Sequence, residues 1–546
     1  MEPSPEDIFF ARIDAASFDC ASVPALAAFA AFAHDYMRAL DAGADLSHTW
    51  QMRPVAARRA ATGRQGGQTM ILRHVYTTAL AQASYLVGDP ATGEALVVDP
   101  IRDVDQYLAL AARDGLRVTA VAETHIHADF VSGAREFAAR AGARLYLSAA
   151  PGGSPYVYAA DAGAIPLRDG DRIALGDVRL DVLHTPGHTP ESLSFLLTDT
   201  AGANGPMGIL TGDCVFVGDV GRPDLLETAA GIAGAAAEGA HALFHSLQRV
   251  RRLPDYAQVW PGHGAGSACG RALGAAPQST VGYEARFNWA FAVPDEDDFV
   301  REVLTRQPEP LPYFARMKRI NAEGSRPAGA LTPPARLRAD QLIGALTAGT
   351  VVVDLRPASA YAAGHVPGAL NLPPGGAFLS WAGWLLPDDR PLGLVGEEGP
   401  VDDAARQLRL IGLDTIVGAW TPAEVATWEA SGSALARVER IDAGHLRDLL
   451  ARDEIALVDV RAPEEYAVGH ISGSRNIPLG HLAERLGEIP AGRPVVVQCQ
   501  GGTRSAIAAS VVGAQRGDPI IDFTGGFAAW DALAYPVERG GATSDA

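Results

Sequence analysis

Glu123-Thr124-His125-Ile126-His127-Ala128-Asp129-Phe130 is the stretch on which the reading of this chain turns. Just before it, Leu116-Arg117-Val118-Thr119-Ala120-Val121-Ala122 is a short apolar run of strand character. The two histidines therefore fall where a strand ends and a loop begins, a usual position for site residues in an α/β layer. Neutral imidazole and carboxylate are standing donors for a metal ion. One such cluster is a weak signal, because a surface histidine is ordinarily just a solvated side chain. Three more loops strengthen it: Thr185-Pro186-Gly187-His188-Thr189, Leu210-Thr211-Gly212-Asp213-Cys214 and Trp260-Pro261-Gly262-His263-Gly264. Each is a strand-like run that ends in a Gly-containing turn and adds one donor.

Around this motif the chain is long and acidic. Its 546 residues exceed a single hydrophobic core, and at about 150 residues per domain they imply three or four units. No apolar run reaches the roughly 18 residues of a membrane span, and Met1-Glu2-Pro3-Ser4-Pro5-Glu6-Asp7 is acidic where a signal peptide is basic. A cytoplasmic protein with no membrane partner is expected. The net charge of −19 argues against a nucleic-acid partner, which needs a basic surface. Lys318 is the only lysine, so the positive charge is otherwise arginine. Cys20, Cys214, Cys269 and Cys499 form no Cys-x-x-Cys, which indicates neither a disulfide framework nor a zinc finger.

Residues 1–69 read as an extension: an Ala-rich helix over 23–40, then an Arg- and Gly-rich loop over 53–68. From Ile71 onward strands and helices alternate. Strand character covers Ala83 to Val87, Ala95 to Asp99, Arg144 to Leu147, Arg179 to Leu183, Ser192 to Leu197 and Met207 to Leu210; helical spacing covers Val104 to Ala112 and Ser132 to Ala141. Such alternation fits two packed sheets with outer helices.

The four donor loops, in this order, resemble the metallo-β-lactamase superfamily, including its glyoxalase II and persulfide dioxygenase branches. That resemblance implies an α/β fold, an αβ/βα sandwich over residues 70–333. In the dioxygenases it places the metal on His125, His188 and Asp213. Two imidazoles and one carboxylate with open positions suit mononuclear non-haem Fe(II), with zinc the alternative. Phe130 departs from the superfamily's hydrolases, which carry a second-metal histidine there. A two-metal clamp is thereby weakened, and His127, Asp129 and His263 are expected to orient ligands or hydrogen-bond substrate. Gly221-Arg222-Pro223-Asp224 resembles a dioxygenase segment in which the arginine positions substrate; a plain ion pair with Asp224 is the alternative. Cys214 reads as a small buried hydrophobe or a reactive thiol. Ala265 to Gly270 and Gly282-Tyr283-Glu284 also look like dioxygenases fused to rhodanese domains.

After a Pro-rich boundary near Arg326 to Arg336 the sequence repeats. Val351-Val352-Val353-Asp354-Leu355-Arg356, Tyr361, Gly364-His365 and Asn371 parallel Ala456-Leu457-Val458-Asp459-Val460-Arg461, Tyr466, Gly469-His470 and Asn476. A period of about 105 residues means two whole domains, at 337–432 and 438–540, and each resembles rhodanese. In the second, the strand before Cys499 delivers it into Cys499-Gln500-Gly501-Gly502-Thr503-Arg504-Ser505, which opens a helix. Backbone N–H groups and the helix dipole favour a thiolate there, and Arg504 adds charge. Cys499 and Arg504 are the candidate catalytic residues, with Gln500, Gly501, Gly502, Thr503 and Ser505 around the sulfur. The first repeat has Gly396-Glu397-Glu398-Gly399 instead, with neither Cys nor Arg, and is expected to be inactive.

The resemblance implies oxidation of a small thiol persulfide by O2 to sulfite and thiol, coupled to sulfur exchange with sulfite or thiosulfate at Cys499. A zinc thioester hydrolase of glyoxalase II type is the rival reading. A non-enzymatic sulfur carrier or sensor is the rival from another class. A homo-oligomer is compatible with the sequence.

Overall fold

The computed structural model describes residues 70–149, 155–228, 231–305 and 307–540. The helix and loop expected over residues 1–69 lie outside the described residues.

Two six-stranded sheets form the first architectural unit. One contains Ile71–Thr77 (β1), Gln82–Asp89 (β2), Glu94–Val98 (β3), Arg117–Ala122 (β4), Arg144–Ser148 (β5) and Ile165–Leu167 (β6), in sequence order. The other contains Arg172–Leu175 (β7), Val178–His184 (β8), Leu193–Asp199 (β9), Gly208–Gly212 (β10), Gln258–Pro261 (β11) and Ser279–Thr280 (β12), likewise in sequence order. Meander pairing is antiparallel, whereas β3, β4 and β5 run parallel because helices intervene at Asp105–Arg113 (α1) and Ala134–Ala141 (α2); β6 pairs parallel with β5, and β11 with β10. Leu96, Val98, Ala120 and Ala122 face Leu180, Val182, Phe195 and Leu197 across the sandwich, while Ala95, Val97, Val118 and Val121 face the helix layer. Strands buried on both faces read as continuous apolar runs, which is why β3 and β4 were legible in the sequence.

The region after β10 is more helical than the sequence suggested. Ala235–Val250 (α3) packs against Glu296–Leu304 (α4), and Phe314–Glu323 (α5) follows. The expected helix from Ser132 begins instead at Ala134, because the Ser132 hydroxyl donates to Glu123 at 2.5 Å and accepts the Ala134 N–H at 3.0 Å.

Two parallel sheets follow, as expected for rhodanese-like folds, with a short antiparallel pairing of His470–Ile471 and Val537–Glu538 beside the second. The first orders Val351–Asp354 (β13), Leu370–Asn371 (β14), Leu392–Val395 (β15) and Ile416–Trp420 (β16) as β14-β13-β15-β16. Helices Phe378–Leu385 (α6) and Glu398–Leu410 (α7) belong to it. The second comprises Glu439–Ile441 (β17), Ala456–Asp459 (β18), Arg475–Asn476, Val495–Gln498 and Ile520–Phe523 in an all-parallel five-stranded sheet. Thr503–Gln515 (α8) follows Cys499 closely in sequence, and Gly526–Ala532 (α9) reaches it in space.

The sequence repeat is also a repeat of contacts. Arg356 pairs with Asp354 at 2.6 Å and Arg461 with Asp459 at 2.7 Å. Tyr361 stacks on His365 at 3.6 Å, and Tyr466 on His470 at 3.7 Å. The Asn371 and Asn476 amides each donate to the carbonyls of the paired Asp and Arg. These contacts are thus common to both domains, whereas the loop that carries Cys499 in the second has no cysteine in the first.

Candidate metal centre and sulfur-transfer loop

Four strand ends converge on one buried set of donors. His125 follows β4, His188 lies between β8 and β9, Asp213 follows β10 and His263 follows β11. His125, His188 and Asp213 each bring a ligand atom within 4.8 Å of the others. The Nε2 atoms of His125 and His188 lie 3.9 and 3.5 Å from Asp213 Oδ2.

The other nitrogen of each ring is anchored. Thr124 Oγ1 donates to Asp99 Oδ2 at 2.8 Å and lies 2.9 Å from His125 Nδ1. His125 Nδ1–H therefore donates to Thr124, and its Nε2 is bare. His188 Nδ1–H donates to the Arg222 carbonyl at 2.9 Å, with the same result. Burial pushes both imidazoles well below their ordinary range, so they stay neutral. Burial raises Asp213 to about 6, and both its oxygens lack a hydrogen-bond partner. Two bare imidazole nitrogens facing an unsatisfied buried carboxylate fit a divalent cation, which would satisfy all three groups at once. Gly221 permits this closeness: a Cβ there would lie 1.9 Å from the Asp213 carbonyl oxygen.

His127 faces elsewhere. Its Nε2 is 3.0 Å from Glu123 and 3.2 Å from Asp99, and its ring stacks on Phe130 at 4.4 Å. Burial opposes its protonation, yet the two carboxylates raise it well above the usual imidazole value. The two carboxylates thus favour its protonated form, which faces Asp99 beneath Thr124 and His125. Phe130 is fully buried and offers no donor.

Asp129 and His263 form a second set, with His263 Nε2 3.6 Å from both Asp129 Oδ2 and Asp213 Oδ1. Cys269 joins them within 4.8 Å, a neighbour that no local spacing assigns. Its thiol is pushed well up by burial and then by Asp129 and Asp213, which opposes a thiolate. Cys214 is likewise buried, its thiol raised to about 12, and it packs among Ile209, Val215 and Val259. That is the small-hydrophobe reading.

Arg222 requires a correction. Its guanidinium is 1% exposed and bidentate to Asp224 at 2.9 and 2.7 Å, with the Ala268 carbonyl accepting another N–H. The bidentate face of this guanidinium is taken by Asp224, so it has no fork left for a substrate anion. What reaches the centre is its backbone carbonyl, through His188.

At the far domain, Cys499 is 1% exposed and its sulfur accepts the Gly502 N–H at 3.1 Å at the start of α8. Gly526, at φ +58, lets Phe527 N–H reach the Cys499 carbonyl at 2.7 Å; a Cβ would stand 2.2 Å from that oxygen. Gln500, Gly501 and Thr503 are exposed at the loop rim, whereas Ser505 is buried and donates to Asp522 at 2.7 Å. Ser505 therefore buttresses the helix rather than facing the sulfur. Arg504 is bidentate to Glu465 at 2.6 and 2.7 Å, which shares out the charge expected for Cys499. In the first repeat the equivalent loop is acidic and exposed at Glu397 and Glu398.

A cavity of about 210 Å3 reaches Asp129 from outside. Leu80, Ser267 and Phe314 line it from the sandwich side, and Gly376, Leu379 and Ser380 from the first rhodanese-like domain. The domain without a cysteine thus walls the approach to Asp129, which faces His263 and, beyond it, Asp213.

The metallo-beta-lactamase superfamily model matches residues 77–263, and the rhodanese-like domain model matches 338–418 and 442–533. A crystal structure of a metallo-beta-lactamase from Staphylococcus aureus subsp. aureus COL is 41% identical, covering 65% of this chain and 100% of that one, with a TM-score of 0.58. The chain belongs to the metallo-beta-lactamase superfamily. It is a metallo-beta-lactamase domain followed by tandem rhodanese-like domains. The mitochondrial persulfide dioxygenase ETHE1 of Bos taurus is 27% identical over 38% of this chain and 74% of its own length. A hydroxyacylglutathione hydrolase of Gloeobacter violaceus is 34% identical over 33% of this chain and 62% of its own length. No helix among the described residues is long and apolar enough to cross a membrane.

Proposed function

We propose that this chain oxidises a low-molecular-weight thiol persulfide with O2 at a mononuclear non-haem Fe(II) held by His125, His188 and Asp213, and that Cys499 exchanges sulfane sulfur with thiosulfate or sulfite. The observation that carries the reading is the three-donor face of bare imidazoles and unsatisfied carboxylate, beside a Phe130 that cannot donate. When bound, Fe(II) supplies a redox-active template on which sulfur and dioxygen meet. Persulfide, O2 and water give thiol, sulfite and two protons; the outer sulfur loses the electrons that dioxygen gains, and the S–S bond breaks toward the thiol.

The protein's own groups supply orientation. Thr124 with Asp99, and the Arg222 carbonyl, hold the two imidazoles by their far nitrogens, so ligand directions are set before substrate arrives. The walled cavity leads from outside to Asp129, beside His263. At Cys499 the thiolate attacks the outer sulfur of thiosulfate, sulfite leaves, and the persulfide is held by the Gly502 N–H and the start of α8. A free thiol then removes that sulfur and becomes the substrate of the metal centre. Its placement in sulfide detoxification follows from this chemistry, and a cytoplasmic location is part of the proposal.

A zinc thioester hydrolase is the second reading, favoured by the Asp129–His263–Cys269 donor set and by the hydroxyacylglutathione hydrolase similarity. Anaerobic metal analysis with thioester and persulfide assays separates the two. Iron with O2 uptake supports the first reading, and two zinc ions with thioester turnover supports the second.

A further inference from the structure

Lys318 is the one lysine of the chain, and every other basic residue is arginine. It is 8% exposed, and its Nζ has no hydrogen-bond partner. An unpaired buried ammonium is costly, so it persists where an anion completes it.

Its helix places it at the metal centre. One turn after Lys318 on α5, Asn321 donates to the carbonyls of His127 at 2.8 Å and Phe130 at 2.7 Å, and accepts the Ser132 N–H at 2.9 Å. One turn before it, Phe314 lines the cavity that reaches Asp129. Residues three and four apart share a helix face, so Lys318 lies on the α5 face that Asn321 docks to the His125 loop, one turn from the cavity-lining Phe314. Electrostatics agree with this placement. Burial lowers Lys318, opposed by Glu191, Cys269 and Asp213, so an arriving anion favours the ammonium. The other buried basic groups near the donors face carboxylates, Arg222 on Asp224 and His127 on Asp99 and Glu123.

We propose that Lys318 binds the anionic sulfur group of the reaction, the persulfide sulfur on entry and the sulfite oxygens on exit. This rests on the dioxygenase reading and narrows its substrates to those presented as sulfur anions. A compact ammonium with three rotatable donors suits a small anion that changes shape, where a planar fork does not. The role is binding and specificity at the site, with no covalent step at Nζ.

The test uses the full metal-loaded chain, as wild type, Lys318→Met and Lys318→Arg. Sulfite binding is measured anaerobically by calorimetry, alongside metal content, melting temperature, and kcat and KM with a small thiol persulfide. Lys318→Met is expected to weaken sulfite by about tenfold or more and to raise KM more than it lowers kcat, with metal content kept and melting temperature unchanged or higher. Lys318→Arg is expected to recover part of the affinity. Sulfite affinity of Lys318→Met within about twofold of wild type overturns the assignment. So does loss of metal with a lowered melting temperature, which marks a structural role. Wild type that takes up O2 while Lys318→Met is unaltered ends only this inference, whereas wild type without uptake ends the dioxygenase reading and this inference with it.

Discussion

His127 shows how little residue type alone decides. In the sequence it is indistinguishable from His125 two positions earlier, yet one faces Asp213 and the other is clamped between Asp99 and Glu123. The difference lies in Asp99, 28 positions upstream at the end of β3 and held at φ +51. Replacing His127 by Gln leaves two buried carboxylates without their cation and is expected to cost about 3–5 kcal/mol of stability in metal-free protein, read by denaturant unfolding. The sign of its pH dependence follows from the raised imidazole. The stabilisation is fully present below the unfolded value of about 6.5 and is lost as pH rises through the higher folded value, so the wild-type advantage is larger at pH 6 than at pH 9. An equal difference at both pH values would contradict an imidazolium there. The donor types at His125, His188 and Asp213 were legible because each sits in its own strand-end motif. Thr124, Glu191, Cys269 and Lys318 were not, since their parts depend on contacts that no local spacing encodes.

Elements bounded by strong local signals were read well, and short ones were not. Strands β3 and β4 are continuous apolar runs, and the Cys499 loop is a fixed string at a helix start. By contrast, β6 and β12 span three and two residues, too few to show a period. The fate of Arg222 and Arg504 was hidden for a related reason. A guanidinium in a loop can turn toward substrate or toward a carboxylate, and Glu465 lies 39 positions from Arg504. At the level of the α8 loop, Cys499→Ser is expected to abolish thiosulfate-to-thiol sulfur transfer while leaving O2 uptake with added persulfide intact. Retained transfer in that variant would remove Cys499 from the proposal.

Across the whole molecule, the first rhodanese-like domain keeps its scaffold while lacking the sulfur-carrying loop. Arg102 holds Asp414 at 2.6 and 2.8 Å, the Leu410 carbonyl accepts the Val131 N–H at 2.7 Å beside Phe130, and the Ile411 carbonyl accepts from Arg316 at 2.8 Å. These contacts join the domain to the motif loop and α5, so the wall formed by Gly376, Leu379 and Ser380 is fixed to the centre it covers. Ser380→Trp is therefore expected to raise KM for persulfide by roughly tenfold with kcat and Cys499-dependent transfer little changed, because it fills the approach without touching the donors. An unchanged KM would show that substrate enters another way. The central claim is that His125, His188 and Asp213 hold one iron that oxidises a persulfide. It is tested most directly by purifying the chain without oxygen, counting its metal, and following O2 consumption on addition of glutathione persulfide in wild type and His188→Ala. About one iron per chain with uptake lost in the variant is the predicted result, and zinc with no uptake in the wild type is the result that contradicts it.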